Sequence, residues 1–276
     1  MSVLEREKAG LFDGVPDTDY HGAGWAVSST TLKTLFKADA QTAKWNLDHP
    51  ADSSTFAFGR FFHSHVLEGG PMPELKPDGR TKAGKAKAAE LAEAGVPVLT
   101  ASELDVFKAM AESVKGSALA SGFLKGGRAE QSIFWQDDET GVWCKARPDY
   151  LSPFACVDLK TTQDARPFEF GRSAAQLAYD VQAAFYLRGI HAATGKLPLF
   201  VFVAVGKAAP FQTSVHALSD VQLERADELV SKLLWQWKGC LESGNYPGIP
   251  DSIHTFSFPQ WEETKRERRL SWAMIG

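Results

Sequence analysis

The 276-residue chain is expected to fold as an α/β protein of the α+β type, a central mixed β-sheet flanked by helices with a helical N-terminal elaboration. Three observations predict this. Up to about residue 127 the apolar residues recur at helical spacing. From Glu130 the period switches to two, the spacing of half-buried strands. A later run, "PLFVFVAV" (198–205), is almost wholly apolar, as a strand buried on both faces must be.

Residues 1–27, rich in Gly, Asp and Pro, read as a flexible arm ahead of a single domain over 28–276. Within that domain 28–127 is helical, 128–243 forms the core and 244–276 a tail. "SSTTLKTLFKADAQTAKWNLD" (28–48) reads as one helix, capped by Ser28 or Ser29, with Leu32, Leu35 and Phe36 on one face. "STFAFGRFFHSHVLEGG" (54–70) reads as a second, ended by Gly69-Gly70. Residues 71–97 turn Pro- and Lys-rich and then helical, the mark of an exposed connection. "TASELDVFKAMAESVKGSALASGFL" (100–124) is a helix capped by Thr100 or Ser102, with Leu104, Phe107 and Met110 inward. "EQSIFWQ" and "VWCKARPDYL" are strands joined by the turn "DDETG", and "FACVDLK" is a third strand. A helix over 174–193, the strand 198–205, a strand "FQTSVHAL" (211–218) and a closing helix over 219–243 complete the order.

With 44% hydrophobic and 23% charged residues the composition is that of an ordinary globular protein. No apolar run reaches the roughly 20 residues that span a bilayer, and the first ten residues lack a signal peptide's apolar core, so a cytoplasmic location is expected. Three scattered cysteines fit reduced thiols rather than a disulfide framework or a four-cysteine cluster. The net charge of −4 gives no global sign of nucleic-acid binding, although a local basic groove can oppose the average.

The chemistry concentrates in "RPDYLSPFACVDLKTT" (147–162). Alternation on the strand puts Val157 and Leu159 on one face and Cys156, Asp158 and Lys160 on the other. Glu130, Asp149 and Asp158 then converge on the sheet, and three neighbouring carboxylates repel unless something compensates. A hard divalent cation with oxygen ligands is the simplest compensation. With Lys160 beside it, such a group is the equipment of metal-assisted phosphodiester hydrolysis. A structural ion pair between Asp158 and Lys160 fits the same spacing.

That stretch resembles the PD-(D/E)xK nuclease signature, with Asp149 as its first acid and "DLK" as its second half. Further segments occur in the order found in the exonuclease VIII (RecE-type, YqaJ-like) recombination nucleases, distant relatives of lambda exonuclease. They are "SSTTLK", "FGRFFHSHVLEG", "LTASE", "AEQSIFWQDDETGVWCKARPDYL", "VDLKTTQDA" and "YDVQAAFYLRGI", and the resemblance spans roughly 28–216. It implies a PD-(D/E)xK domain binding two Mg2+ ions, with Mn2+ able to substitute. Asp149 and Asp158 would hold the metal, His63, Glu130 and the backbone carbonyl of Leu159 would complete the shells, and Lys160 would orient or deprotonate the attacking water. Gln182 and Tyr186, which stand i and i+4 on one helix, match the family's Q-x-x-x-Y and would position the scissile strand. Read from the residues alone, a lone histidine on an apolar helix such as His63 is more often packed than liganding, and for Gln182 and Tyr186 the alternative to a site role is core hydrogen bonding and packing.

The implied activity is degradation of linear double-stranded DNA, 5′ to 3′ on one strand, leaving 3′ overhangs for a single-strand annealing protein. A ring-shaped homo-oligomer is implied too. Alternatives are a structure- or single-strand-specific endonuclease of the same fold, or a non-catalytic DNA-binding protein on a decayed one. Two departures stand out: "GRFFH" replaces the family's small residues before the histidine, and Gly206 stands where many relatives carry Glu. The densest basic run holds Lys76, Arg80, Lys82, Lys85 and Lys87. It reads either as a track for a phosphate backbone or as a solvated linker. No sequence-reading DNA motif is present, so binding is expected to ignore sequence.

Overall fold

The computed structural model describes residues 8–49 and 57–273, with side chains described over 8–49 and 58–268. The chain begins with β1 (Gly10–Phe12), α1 (Asp17–Gly22), β2 (Val27–Ser28), α2 (Ser29–Lys37), α3 (Ala40–Asp48) and α4 (Ala57–Glu68). It continues with β3 (Glu74–Leu75), α5 (Lys82–Glu93), β4 (Val98–Leu99), α6 (Ala101–Gly116) and α7 (Ala118–Phe123). Next come β5 (Arg128–Ala129), β6 (Ser132–Gln136), β7 (Trp143–Ala146), β8 (Tyr150–Leu151) and β9 (Ala155–Thr162). Last are α8 (Pro167–Gln176), α9 (Tyr179–Thr194), β10 (Leu199–Gly206), β11 (Thr213–His216), α10 (Asp220–Ser243) and α11 (Gln260–Ala273). This is the expected mixed α/β architecture.

A five-stranded sheet has the order β11-β10-β9-β8-β5, with β9 and β10 parallel and the other neighbours antiparallel. A four-stranded sheet has the order β1-β6-β7-β2, and β3 and β4 form a small parallel pair. One hairpin runs through both larger sheets. Its outer half, β6 and β7, belongs to the four-stranded sheet, and its base, β5 and β8, to the five-stranded one. At the changeover Glu130 takes a left-handed backbone (φ 52°), and its N–H donates to the Asp149 carbonyl at 3.2 Å. A non-glycine residue in that conformation costs on the order of 1–2 kcal/mol, a strain that tends to collect at functional positions.

Strand alternation builds two cores. Val157, Leu159, Val201 and Val203 face Phe62 of α4 and Phe107 of α6. The opposite face, with Cys156, Phe200 and Phe202, packs on Val181 and Phe185 of α9 and Leu234 of α10. α9 also lies close to the hairpin: a Cβ placed on Gly189 would meet the Trp135 indole at 2.6 Å.

Capping residues explain where the helices depart from expectation. Residues 28–48 form two helices because the Asp39 side chain accepts from the Thr42 N–H and starts a new one. Ser117 ends α6 and caps α7 in the same way, dividing the helix expected over 100–124. Such caps contribute about 1 kcal/mol each. The helix expected over 174–193 begins at Tyr179, and α8, led by Pro167 in its first turn, precedes it. Residues 54–56 of the helix expected over 54–70 lie outside the described residues.

Residues 8–27, expected as a flexible arm, are instead tied to the second sheet. β1 pairs with β6, and Val15, Tyr20, Ala23 and Ala26 close over Phe134. Two buried cations on the hairpin hold them. Lys145 donates to the carbonyls of Tyr20 and Ala23 at 2.7 and 2.9 Å, and Arg147 donates to Asp17 at 2.5 Å and to the Val15 carbonyl at 2.9 Å. Residues 1–7 of the expected arm lie outside the described residues. Among the described residues no helix is long and apolar enough to cross a membrane.

Candidate active site

β9 carries Asp158 into the core face, where it is 1% exposed. Its Oδ1 accepts from the Gln182 amide at 2.7 Å, and its Oδ2 lies 2.5 Å from the Lys160 ammonium. That second oxygen is fully buried and, apart from this ion pair, has no hydrogen bond of good geometry. Lys160 in turn lies over the Tyr179 ring, 4.7 Å from its centroid. Burial works against its charge, but Asp158 and Asp149 outweigh that and hold its pKa above the usual lysine range.

The other acids gather where the hairpin changes sheets. Asp149 Oδ2 accepts the Leu159 N–H at 2.7 Å and lies 3.5 Å from His63 Nδ1. Phe62, fully buried, anchors α4 in the core and leaves the next residue, His63, partly exposed beside Asp149. One ligand atom each from His63, Glu130 and Asp149 lies within 4.8 Å of the others. Burial first, then Asp149, pushes the Glu130 carboxyl up from 4.5 to about 8. Burial also raises Asp149, with Asp158 adding to it and His63 and Lys160 opposing. Carboxylates held above their normal range and a buried oxygen short of donors are what a divalent cation would relieve. The two carboxylates and one imidazole that converge fit a hard or borderline divalent ion.

Residues 28–256 match the family model of the PDDEXK-like domain of unknown function (DUF3799). The chain belongs to this family. Its PDDEXK-like core places it with the PD-(D/E)xK nucleases, which typically depend on divalent metals, and this supports a nuclease. The crystal structure of a candidate exonuclease from Eubacterium rectale shares the fold, with a TM-score of 0.63 over 90% of this chain and 96% of that one at 14% identity. A phage related exonuclease from Haemophilus somnus 129PT matches 80% of this chain and 96% of its own at 15% identity, with a TM-score of 0.30, a likeness too remote to argue from. No curated protein matches the chain.

In this PDDEXK-like chain the sequence-predicted residues divide into two groups. His63, Glu130 and Asp149 form one cluster, and Asp158, Lys160 and Gln182 a second one, linked by the Asp158–Lys160 ion pair and the Gln182–Asp158 hydrogen bond. Asp158 is close enough to raise Asp149 but is not part of the first cluster. Tyr186, one turn beyond Gln182, is partly buried against the core, with Ser29 beside its hydroxyl. Leu159 meets Asp149 through its N–H. His65, two residues past His63, turns away to the Gly70 carbonyl at 2.9 Å.

The basic run lies on and before α5, which is capped by Thr81. Arg80 pairs with Asp78 and Lys87 with Glu90 and Glu74, whereas Lys82 and Lys85 are exposed and form no ion pair among the described residues. At Gly206 a Cβ would meet nothing closer than 3.7 Å, so that position has room for a side chain. Sequence reasoning missed Lys33, whose ammonium donates to the Gln182 carbonyl oxygen at 3.2 Å.

Proposed function

We propose that the protein is a metal-dependent exonuclease that degrades linear double-stranded DNA 5′ to 3′ on one strand and leaves 3′ overhangs for strand annealing. The observation that carries the reading is the meeting of His63, Glu130 and Asp149 beside the Asp158–Lys160 pair. The exonuclease VIII resemblance supports the polarity, the annealing partner and a ring-shaped homo-oligomer.

Asp149, Asp158, Glu130 and His63 would hold Mg2+ or Mn2+, and the Leu159 carbonyl belongs to the same proposed set. When bound, such an ion lowers the pKa of water and screens charge on a phosphate. The protein's own groups do the rest. Lys160, paired with Asp158, is placed to orient or help deprotonate the attacking water and to offset charge on the phosphate oxygens. Asp158 and the Tyr179 ring fix where that ammonium points. Gln182 holds Asp158 from the other side, and Tyr186 packs behind it. Lys82 and Lys85 are the free cations proposed to meet the DNA backbone.

End-labelled linear and closed circular duplexes, each with Mg2+, Mn2+ or a chelator, test the reading. Metal-dependent release of nucleotides from 5′ ends, with circles left intact, is the expected result. Cleavage of circles would favour the endonuclease alternative, and no cleavage with no cation binding would favour a non-catalytic DNA-binding protein.

A further inference from the structure

Helix α2, from the N-terminal part of the chain, packs on α9. Ser29 and Lys33 stand one turn apart on α2, as Gln182 and Tyr186 do on α9. Ser29 faces the Tyr186 hydroxyl, and Lys33 donates to the Gln182 oxygen at 3.2 Å, so the two pairs run in opposite chain directions. The S-x-x-x-K of α2 is thus the antiparallel complement of the Q-x-x-x-Y of α9.

We propose that Lys33 is a positioning residue for the site: by occupying the Gln182 carbonyl oxygen it locks the amide so that its NH2 donates to Asp158. A glutamine amide offers an acceptor at one end and donors at the other. An ammonium is a donor alone, and an ionised carboxylate an acceptor alone. With Lys33 at one end and Asp158 at the other, a flipped amide would set donors against the ammonium and oxygen against the carboxylate. One orientation survives. It occupies Asp158 Oδ1 and leaves Oδ2 to Lys160.

Lys33 has no ion pair among the described residues, and its charge is accommodated by the Tyr179 ring, 5.8 Å from the centroid, the same ring that Lys160 uses. Burial, and then the nearby Lys160, lower its pKa to about 8. A lysine held where its own charge is disfavoured points to a role rather than to surface solvation.

The kinetic part of this proposal rests on the nuclease reading, whereas its geometric part does not. The protein, labelled with 15N on glutamine side chains and assigned with Gln182→Leu, reports the Gln182 amide directly. Lys33→Met should bring its two proton shifts together and speed their exchange with water. Turnover on linear DNA should fall about tenfold, with KM within about twofold and the melting temperature nearly unchanged. Lys33→Arg should restore both spectrum and turnover. In a Gln182→Leu background Lys33→Met should cost less than about twofold more, since residues acting through one another are not additive. An unchanged Gln182 amide in Lys33→Met, or full additivity of the two substitutions, would overturn the proposal. A wild-type protein that cleaves no nucleic acid would overturn the nuclease reading, and the amide spectrum would still decide the positioning role.

Discussion

The Leu159 N–H donates a 2.7 Å hydrogen bond to the carboxylate of Asp149, ten residues earlier in the chain. The acid between β7 and β8 is therefore aimed by the backbone of β9, the strand that carries Asp158 and Lys160. The two halves of the motif are joined before any ion arrives, and the accepting oxygen is the one that stands 3.5 Å from His63.

Asp158→Ala or Lys160→Ala should lower metal-dependent cleavage of linear duplex by at least about a hundredfold, equivalent to roughly 3 kcal/mol of barrier. Lys160→Ala has a second consequence, because it strips the partner from a carboxylate that is 1% exposed. Loss of such a partner costs about 3–5 kcal/mol, so urea unfolding of the metal-free variant should show a lower midpoint. Sustained turnover by either variant would sink the site assignment.

Glu130 gives the metal-free protein a pH dependence of defined sign. Its pKa rises from 4.5 to about 8 on folding, so the fold prefers the protonated acid. The stability this contributes is complete below about pH 4.5 and is lost as pH rises through about 8. Asp149, also raised, acts in the same direction. Without divalent ions the melting temperature should carry a downward component across this window. Mg2+ should reverse that component near pH 8, and Glu130→Gln should remove most of it. At pH 8 without metal the Gln variant should therefore melt above the wild type; the opposite order would show that the buried Glu130 carboxylate does not cost the fold stability.

Replacing both Lys82 and Lys85 by Gln tests the phosphate contacts proposed for α5. Each phosphate contact contributes about 0.9 to the slope of log affinity against log salt on duplex DNA. The double variant should flatten that slope by roughly 1.8, measured by fluorescence anisotropy in a cation that does not support cleavage. An unchanged slope would make these residues a solvated face.

Gly189 tests how closely α9 must sit. A methyl there would meet the Trp135 ring at 2.6 Å, and overpacking of this kind costs about 1–3 kcal/mol. Gly189 lies two turns beyond Gln182, so displacement of α9 should lower turnover in Gly189→Ala as well as the melting temperature. Full turnover in a destabilised variant would show that the two ends of the helix move independently.

The central strands and the acid–acid–lysine set were legible because short-range patterns carry them. Alternation alone put Asp158 and Lys160 on one face of β9, and the ion pair between them agrees with that placement. Other features depended on distant partners. The composition of residues 8–27 is that of a loop, and their order comes from Arg147, which reaches Asp17 across 130 positions of sequence. Lys33 looked like one polar residue of an amphipathic helix until α2 was laid against α9. The breaks at Asp39 and Ser117 were visible as capping residues, yet apolar spacing on both sides favoured continuous helices.

The hairpin shared by the two sheets makes the ligand cluster a reporter of cooperativity. Glu130 and Asp149 sit where one sheet hands the chain to the other, so separation of the sheets would pull the acids apart. Hydrogen exchange at the Leu159 amide, which closes on Asp149, should then proceed through opening of the sheet junction rather than through local fraying. A cation bridging those acids would act as a rivet between the two sheets, slowing that exchange in proportion to its occupancy.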